Sequence, residues 1–532
     1  MATVAAPPAE TPRVARARVP QWFARCPLWL WSGAILVVLT AIAAYLRTRF
    51  ISGQFWMDEA ITTGISSHSL TAIPGILRHD GNPPLFYMLL HGWMSVFGTS
   101  ESATHSLSLL FGLLTVPAGM WAGWSLFGRR AGAMAAILFA FNYWLTYYAQ
   151  ETRMYELMAL LGILATAAFI HAFVYRRRAY LILFGASLAL MLYTHSWGVF
   201  FFVGALLALI PAWVISEDRR GLARDAALAF VGAGVLYLPW IPNLLYQASH
   251  TAAPWSRAPR FGAPVLISRQ LIGGDRVTAV LLAASVIGLV GLVTRRLRRS
   301  QEATALWTLI ALTVATLAVA WIASQINPAF VPRYFAPIVA SIMLIAALGC
   351  ARAGFVGAIA VVLAAVFLIK PAGVALPVKS DMRDVSGQLT QLLHPGDLVV
   401  VGQPEQTTLA WYYLPSGLRY ANTIGPVKDP SYMNWVDAKT RLEHADPRAT
   451  LDPLVASLTP GQQLLYVRPL TEGAQNWNAP WTQLVRRRSA QWGALLEADV
   501  SAGVLRPVAV APHSYGGACC VADTAVLYEK RT

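Results

Sequence analysis

Recurring apolar runs are the feature that most constrains how this chain can fold. Within 532 residues, runs of about the length needed to cross a bilayer occupy residues 28–46, 104–127, 131–148, 156–175, 180–194, 196–215, 224–243, 277–294, 304–324, 334–350 and 353–370. Only 13% of the residues are charged, whereas soluble domains carry about 25%. The sequence therefore predicts a mainly α-helical, polytopic membrane protein with about 11 transmembrane helices.

Arginine in alternate loops predicts the orientation of these helices. If residues 1–27, which we expect to be a disordered cytoplasmic N-terminus, lie inside the cell, every second loop should be basic. Those loops contain Arg129 and Arg130, Arg176 to Arg178, Arg219, Arg220 and Arg224, the arginines of 295–299, and Arg352. The net charge of +15 therefore follows the positive-inside rule, and we expect no nucleic-acid partner.

Two segments depart from the spanning pattern. The stretch from Pro83 to Gly98 is apolar, but counting it as a span would invert every later loop, so we expect an interfacial helix within a large first outer loop at 47–103. The short β-like runs at 398–401 and 464–467 follow a helical pattern at 382–393. They predict a C-terminal α/β domain at 377–532, beyond a transmembrane catalytic domain at 28–376. An odd number of spans puts that C-terminal domain outside.

Unusual polar residues converge on the predicted outer side of the membrane. Ionisable groups at a membrane boundary are costly, so they tend to be functional. The candidate site residues are Asp58, Glu59, Asp80 and Asn82 in the first outer loop, Gln150, Glu151, Arg153 and Tyr155 in the second, His195 in the third, and Arg333 and Tyr334 before the tenth span.

Carboxylates beside arginines at a lipid–water interface suit group transfer from a lipid phosphate. Fixed guanidinium groups can hold the phosphate, and a carboxylate can take the proton of an attacking hydroxyl. A sugar linked to a lipid phosphate meets both requirements, since the phosphate leaves with little help from an acid. Attack from the face opposite the phosphate would invert the anomeric centre.

Three motifs carry a family resemblance. They are Phe55-Trp56-Met57-Asp58-Glu59, Asn82-Pro83-Pro84-Leu85-Phe86-Tyr87, and Tyr148-Ala149-Gln150-Glu151-Thr152-Arg153-Met154-Tyr155. In their order and spacing over roughly residues 28–350, the chain resembles the GT-C superfamily of integral-membrane glycosyltransferases. Within that superfamily it is similar to bacterial relatives of protein O-mannosyltransferases and to the transferases that move aminoarabinose to lipid A.

The resemblance implies a polyprenyl-phosphate-sugar donor and a catalytic aspartate in the first outer loop, which Asp58 matches as general base. Glu59 is expected to orient Asp58 or the acceptor, with exposure to water as the alternative. Asp80 matches a second acid that binds sugar hydroxyls or a divalent cation, although Asp-Gly-Asn is also ordinary turn chemistry. The aminoarabinose enzymes have a lysine where this chain has Asn82.

Without that lysine, we expect Arg153, Arg333 or Arg78 to bind the donor phosphate. The alternative is that these arginines only extend their side chains to the membrane interface. Gln150, Glu151, Tyr155 and Tyr334 are expected to contact substrate. His195 is expected to be a structural residue, a metal ligand or a donor contact. The sequence indicates no definite cofactor, with a divalent cation as the one candidate. Cys519 and Cys520 are adjacent, and we expect unpaired thiols there, with a metal site or a strained vicinal disulfide as the alternatives.

The leading hypothesis is a multi-pass glycosyltransferase of a bacterial cytoplasmic membrane, with its site and C-terminal domain outside. It would act on an outer glycolipid, polysaccharide or protein acceptor. A lipid-linked-sugar flippase or transporter is the main alternative, although such proteins usually contain inverted repeats, which this sequence lacks. A non-catalytic assembly protein is a third interpretation.

Overall fold

The computed structural model describes residues 28–251, 255–294, 300–369, 379–471, 478–512 and 523–531. The predicted disordered N-terminus at 1–27 and the Cys519-Cys520 pair lie outside the described residues. The described chain forms a helical part up to residue 369, followed by a mixed α/β part from residue 379.

The helical part follows the apolar runs of the sequence. Its helices are α1 Leu28–Arg47, α2 Met57–Ser66, α3 Ile73–Asp80, α4 Leu85–Phe97, α5 Glu101–Phe127, α6 Arg129–Phe141, α7 Tyr143–Tyr148, α8 Tyr155–Phe169, α9 Tyr180–Thr194, α10 Gly198–Leu207, α11 Leu209–Ile215, α12 Arg219–Tyr237, α13 Ile241–His250, α14 Ala263–Ile272, α15 Asp275–Val293, α16 Gln301–Ile326, α17 Val339–Arg352 and α18 Phe355–Ile369. A π-helix at Ile170–Val174 extends α8, and 3₁₀ turns at Leu238–Trp240 and Pro332–Ile338 precede α13 and α17.

Each predicted span coincides with one of these helices or with two in succession. Within the described part of the chain, 7 helical segments can cross a membrane by length and composition: Glu101–Phe127, Tyr155–Val174, Gly198–Ile215, Arg219–His250, Asp275–Val293, Gln301–Ile326 and Pro332–Arg352. Shorter apolar helices at Ser32–Arg47, Tyr180–Thr194 and Phe355–Ile369 and the α6–α7 pair occupy the remaining predicted spans. Helix α4 lies within the apolar stretch at 83–98, whose interfacial position stays a prediction. Helix α14 is a short apolar helix that was not predicted from the sequence.

Two segments form the centre of the helical part. In Tyr155–Val174, 89% of the most apolar 18 residues are buried, and in Pro332–Arg352 the share is 83%. In the other five segments it is 28–50%. They can approach closely because Gly162 faces the carbonyl of Pro337, which would lie 2.4 Å from an added Cβ. This packing brings together the two chain segments that begin these helices.

The C-terminal domain is built on a six-stranded sheet of order β3-β2-β1-β4-β6-β5. Its strands are β1 Leu398–Val401, β2 Arg419–Asn422, β3 Gly425–Val427, β4 Gln463–Pro469, β5 Leu505–Ala511 and β6 Asp523–Lys530. Its helices are α19 Met382–Leu389, α20 Thr407–Tyr413, α21 Ala438–His444, α22 Pro447–Ala456 and α23 Pro480–Ser501, with 3₁₀ turns at Thr390–Leu392 and Pro404–Gln406.

Strand β1 is the centre of that sheet. It is parallel to both β2 and β4, and all four of its residues are buried, as expected for a central parallel strand that is covered on both faces. The chain leaves β1 towards β2 on one side and later returns as β4 on the other. The carboxyl end of β1 is therefore a topological switch point, where open α/β sheets commonly bind ligands.

The C-terminal domain packs directly on α2. The Phe55 ring lies 4.7 Å from the Tyr412 ring, and the Phe55 amide donates to the Tyr413 hydroxyl at 2.8 Å. At the other end of α2, the carbonyl of Ser431 would lie 1.9 Å from a Cβ added to Gly64. The Asp58-Glu59 pair thus lies between the helical part and the C-terminal domain.

Candidate active site

Asp58 lies in the first turn of α2, where the helix dipole favours an anion. Its Oδ2 is 4.0 Å from Nη2 of Arg153 and 3.9 Å from Nη2 of Arg333. These separations are longer than the 2.7–2.9 Å of a typical charge-assisted hydrogen bond. The Asp58 side chain is 26% exposed. It is therefore a partly accessible carboxylate that lies between two guanidinium groups without forming a close hydrogen bond to either of them.

The two arginines are held by the central helices and by α2. Arg153 donates from Nη1 to Thr62 Oγ1 at 2.6 Å and to the Asp58 carbonyl at 3.3 Å. Arg333 lies 5.4 Å from the Trp56 ring centroid and 5.3 Å from that of Tyr334. The Nε atoms of both arginines are buried without a hydrogen-bond partner. Two cations face one carboxylate here, an arrangement suited to a further anion.

The electrostatics keep Arg153 charged although its side chain is only 7% exposed. Burial alone would lower the pKa of Arg153, but Tyr155 and Asp58 outweigh burial and raise it well above its usual value. Arg78, the third predicted phosphate ligand, instead stacks on Tyr246, 4.2 Å from the ring centroid. The geometry therefore favours Arg153 and Arg333 over Arg78 as the cations of this site.

Glu59 has surroundings opposite to those of Asp58. Its fully buried carboxylate accepts hydrogen bonds from His105 Nε2 at 2.6 Å, the Thr152 amide at 2.8 Å and Lys379 Nζ at 2.9 Å. Burial would raise the pKa of Glu59, but Lys379 and His105 outweigh it and lower the pKa to about 2. Glu59 does not face water. Its hydrogen bonds connect α2 to α5, to the 150–154 turn and to the C-terminal domain.

Gln150 and Glu151 lie in the turn before α8. Gln150 accepts a hydrogen bond from the Phe50 amide at 2.7 Å and donates to the Thr146 carbonyl at 2.8 Å. Both ends of the Gln150 amide therefore bind the protein itself. Oε2 of Glu151 is buried without a partner. Burial, opposed by Lys379 and reinforced by Glu59, raises the pKa of Glu151 to about 8.

Asp80 ends α3 and lies on the same side of the molecule as Asp58. Gly81 follows it with a positive φ of 110°, and Asn82 Nδ2 donates to Asp80 Oδ2 at 2.8 Å. Burial raises the pKa of Asp80 to about 6, while Asn82 and Arg153 act against that shift and Asp58 adds to it. Asn82 therefore holds Asp80 by a hydrogen bond. Asp80 is close enough to Arg153 and Asp58 for their charges to shift its pKa.

An aromatic group lines the other side of the arginines. The His195 ring lies 4.8 Å from that of Tyr334 and 6.3 Å from that of Tyr155. Its Nδ1 accepts a hydrogen bond from the Trp197 amide at 3.0 Å. Burial and the charges of Arg153 and Arg333 lower the pKa of His195 to about 3. His195 is therefore a neutral imidazole, and it adds no positive charge to the site.

Three residues that hold this arrangement were not predicted from the sequence. His105 and Lys379 bind Glu59, and Thr62 binds Arg153. The signal for Thr62 was its position one helical turn after Asp58. The other two gave no local signal, since they lie 46 and 320 residues from Glu59. Among the residues that the structure describes, no group of three or more His, Cys, Asp or Glu side chains is arranged to hold a metal ion.

Comparison with known proteins assigns the fold. No family model matches the sequence, and no curated protein matches it. Among solved structures, ArnT from Cupriavidus metallidurans bound to undecaprenyl phosphate is similar at a TM-score of 0.62 and 15% identity, covering 94% of this chain and 98% of that one. Its apo state gives a TM-score of 0.61.

The archaeal oligosaccharyltransferase AglB from Archaeoglobus fulgidus, in complex with an inhibitory peptide and a dolichol-phosphate, is similar at a TM-score of 0.51 and 12% identity. That match covers 84% of this chain and 70% of AglB. ArnT and AglB are both membrane glycosyltransferases of the GT-C superfamily. The chain therefore has the GT-C fold, as the resemblance of its motifs predicted.

Proposed function

We propose that this protein is a glycosyltransferase that moves a sugar from a polyprenyl-phosphate donor to a hydroxyl of an outer acceptor. The observation that carries the proposal is the Asp58 carboxylate between Arg153 and Arg333, at the start of the two most buried spans. The GT-C fold supports it, as do the undecaprenyl phosphate of ArnT and the dolichol-phosphate of AglB.

The proposed reaction is a single inverting displacement. The acceptor hydroxyl gives its proton to Asp58 as its oxygen attacks the anomeric carbon. The bond from that carbon to the phosphate oxygen breaks, and the polyprenyl phosphate leaves with the electron pair. Arg153 and Arg333 bind the phosphate oxygens and stabilise the charge that develops there.

The other site residues act around this centre. Asp80, which Asn82 orients, is proposed to bind hydroxyls of the donor sugar, and a divalent cation at Asp80 is the alternative ligand. Tyr155, Tyr334 and the neutral His195 form the wall beside the phosphate. Glu59 and Gln150 fix the positions of α2 and of the turn that carries Arg153.

We propose a multi-pass location in a bacterial cytoplasmic membrane, with the site and the C-terminal domain on the outer side. The arginines of alternate loops support this orientation. A glycolipid, a polysaccharide or a protein could supply the acceptor hydroxyl, and either a hexose or a pentose fits the proposed chemistry.

Native mass spectrometry of the lipid that co-purifies with the protein tests the donor. We expect a polyprenyl-phosphate sugar on the wild type, and about 10- to 100-fold weaker retention in Arg153→Met and Arg333→Met, because each loses charged hydrogen bonds to the phosphate. Arg276→Met is the matched control, since Arg276 is an exposed arginine in the first turn of the α15 span. A wild type that retains no polyprenyl phosphate, or three variants that retain it equally, would overturn the proposal.

A further inference from the structure

The loop after β1 brings the C-terminal domain to the reacting centre. This loop, Gly402 to Gln406, is named the β1 loop, and it leads into α20, which packs on α2. Nε2 of Gln403 lies 3.6 Å from Sδ of Met57, the residue next to Asp58. The β1 loop also lies at the carboxyl end of a central parallel strand, at the topological switch point of the sheet.

Three side chains of the β1 loop, those of Gln403, Glu405 and Gln406, carry buried polar atoms without partners. The first two are hydrogen-bonded to each other. Glu405 is 5% exposed, and its Oε1 accepts hydrogen bonds from Gln403 Nε2 at 2.8 Å and from Trp481 Nε1 at 2.9 Å. Its Oε2 has no partner, and neither has Oε1 of Gln403, which is 2% exposed. Such an atom costs about 1–3 kcal/mol, so a neighbouring pair of them calls for an explanation.

The chemistry of the β1 loop differs from that of the arginine side. Burial raises the pKa of Glu405, although Trp481 and Gln403 act against the shift, and the charge of Asp58 raises it further. Glu405 is thus biased towards a neutral acid beside a neutral amide and an indole. Uncharged hydrogen-bonding groups next to an aromatic side chain suit the hydroxyls of a sugar better than a phosphate, which needs fixed cations.

We propose that Gln403 and Glu405 form a sugar-binding subsite, in which ring hydroxyls next to the reacting centre bind to Oε1 of Gln403 and Oε2 of Glu405. This inference rests on the proposed function and assigns part of substrate recognition to the C-terminal domain. The ring is either the donor's sugar or a sugar of the acceptor, since both present the same hydroxyl chemistry.

The test uses the full-length protein purified from its source membranes. Gln403→Ala removes the unpaired Oε1 of Gln403, Glu405→Leu removes the unpaired Oε2 of Glu405, and Glu405→Gln keeps a neutral hydrogen-bonding group at that position. Gln391→Ala, an exposed glutamine of the same domain, is the matched control. Native mass spectrometry gives the total polyprenyl phosphate bound and the ratio of its glycosylated to unglycosylated forms. Turnover is measured as the transfer of radiolabelled sugar. The donor is the radiolabelled polyprenyl-phosphate sugar extracted from the source cells, and the acceptor is the membrane fraction of the same cells, added at increasing concentration.

Total bound polyprenyl phosphate should stay unchanged in every variant, because the arginines are intact. For Gln403→Ala and Glu405→Leu, binding of the donor sugar predicts a fall of about tenfold in the glycosylated ratio. Binding of the acceptor instead predicts an unchanged ratio and a rise of about tenfold in the membrane concentration needed for half-maximal turnover. Glu405→Gln should remain close to the wild type in both measurements.

The inference is overturned if Gln403→Ala and Glu405→Leu match the wild type in both the ratio and the turnover. Should Glu405→Leu fail to fold, Gln403→Ala decides alone, since it only shortens a side chain. Failure of the proposed function gives a different result, in which the wild type itself carries no polyprenyl phosphate and transfers no sugar.

Discussion

At the scale of residues, two adjacent carboxylates have opposite surroundings because one residue along a helix turns the side chain by about 100°. Asp58 points to the partly exposed space between Arg153 and Arg333, whereas Glu59 points into a buried network. The sequence singled out the pair but could not separate the two roles, because the partners of Glu59 come from distant parts of the chain.

Glu59→Gln should destabilise the protein strongly. The substitution leaves Lys379 close to a neutral amide in a buried site, and breaking such a pair typically costs about 3–5 kcal/mol. Thermal unfolding in detergent should show the loss, and Glu59→Gln combined with Lys379→Met should recover part of it. A single variant that unfolds at the wild-type temperature would contradict the network.

The same pair predicts a pH dependence. The pKa of Glu59 falls from 4.5 to about 2 on folding, so its contribution to stability is complete above pH 4.5 and is lost as the pH falls towards 2. Thermal unfolding measured between pH 6 and pH 3 should therefore show a steeper acid loss in the wild type than in Glu59→Gln. Parallel curves for the two proteins would argue against this assignment.

Asp80 should behave in the opposite way. Its pKa rises from 3.8 to about 6 on folding, so the folded state favours the protonated acid, and stability falls as the pH rises through that range. Asp80→Asn should therefore raise the unfolding temperature at pH 7.5, by an amount equivalent to at most about 3 kcal/mol, and change it little at pH 4. The same variant should lose transfer activity if Asp80 binds the donor sugar.

At the scale of elements, the apolar runs predicted where helices form but not which of them lie at the centre. Mean hydropathy is 2.3 for Tyr155–Val174 and 2.4 for Gly198–Ile215, yet 89% of the first window is buried and only 33% of the second. Lipid tails are about as apolar as a protein interior, so composition cannot separate these positions. Small residues such as Gly162 indicate instead which helices lie at the centre, because they allow two helices to pack closely.

Gly162→Ala should push apart the two helices whose starts carry Arg153 and Arg333. The added Cβ would lie 2.4 Å from the Pro337 carbonyl, and overpacking of this kind costs about 1–3 kcal/mol. We expect a lower unfolding temperature together with weaker donor retention. Gly234→Ala, in a span where an added Cβ meets nothing within 4 Å, should leave both unchanged. Equal behaviour of the two variants would refute the close packing of these helices.

At the scale of the whole molecule, the sequence predicted the division into a helical part and an α/β domain, together with strands β1 and β4. It did not predict the sheet order, because β1 pairs with strands that are far away in the chain. Nor did it predict that the domain packs on α2 and delivers Lys379 and the β1 loop to the site. Both features depend on non-local contacts, for which a single sequence contains no periodic signal.

Cysteine labelling in intact cells checks the proposed orientation. In a background without Cys26, Cys350, Cys519 and Cys520, a cysteine at the exposed Gln388 should react with a membrane-impermeant maleimide added outside. A cysteine at the exposed Arg220 should react only after the membrane is permeabilised. The reverse pattern would place the site and the C-terminal domain on the inner side.

Turnover and donor binding of Asp58→Asn, measured on the same preparation, test the central claim most directly. We expect the variant still to carry the polyprenyl-phosphate sugar, because Arg153 and Arg333 are unchanged, while transfer falls by about 10²–10⁴-fold with the loss of the general base. Full transfer by Asp58→Asn with its donor bound would contradict it.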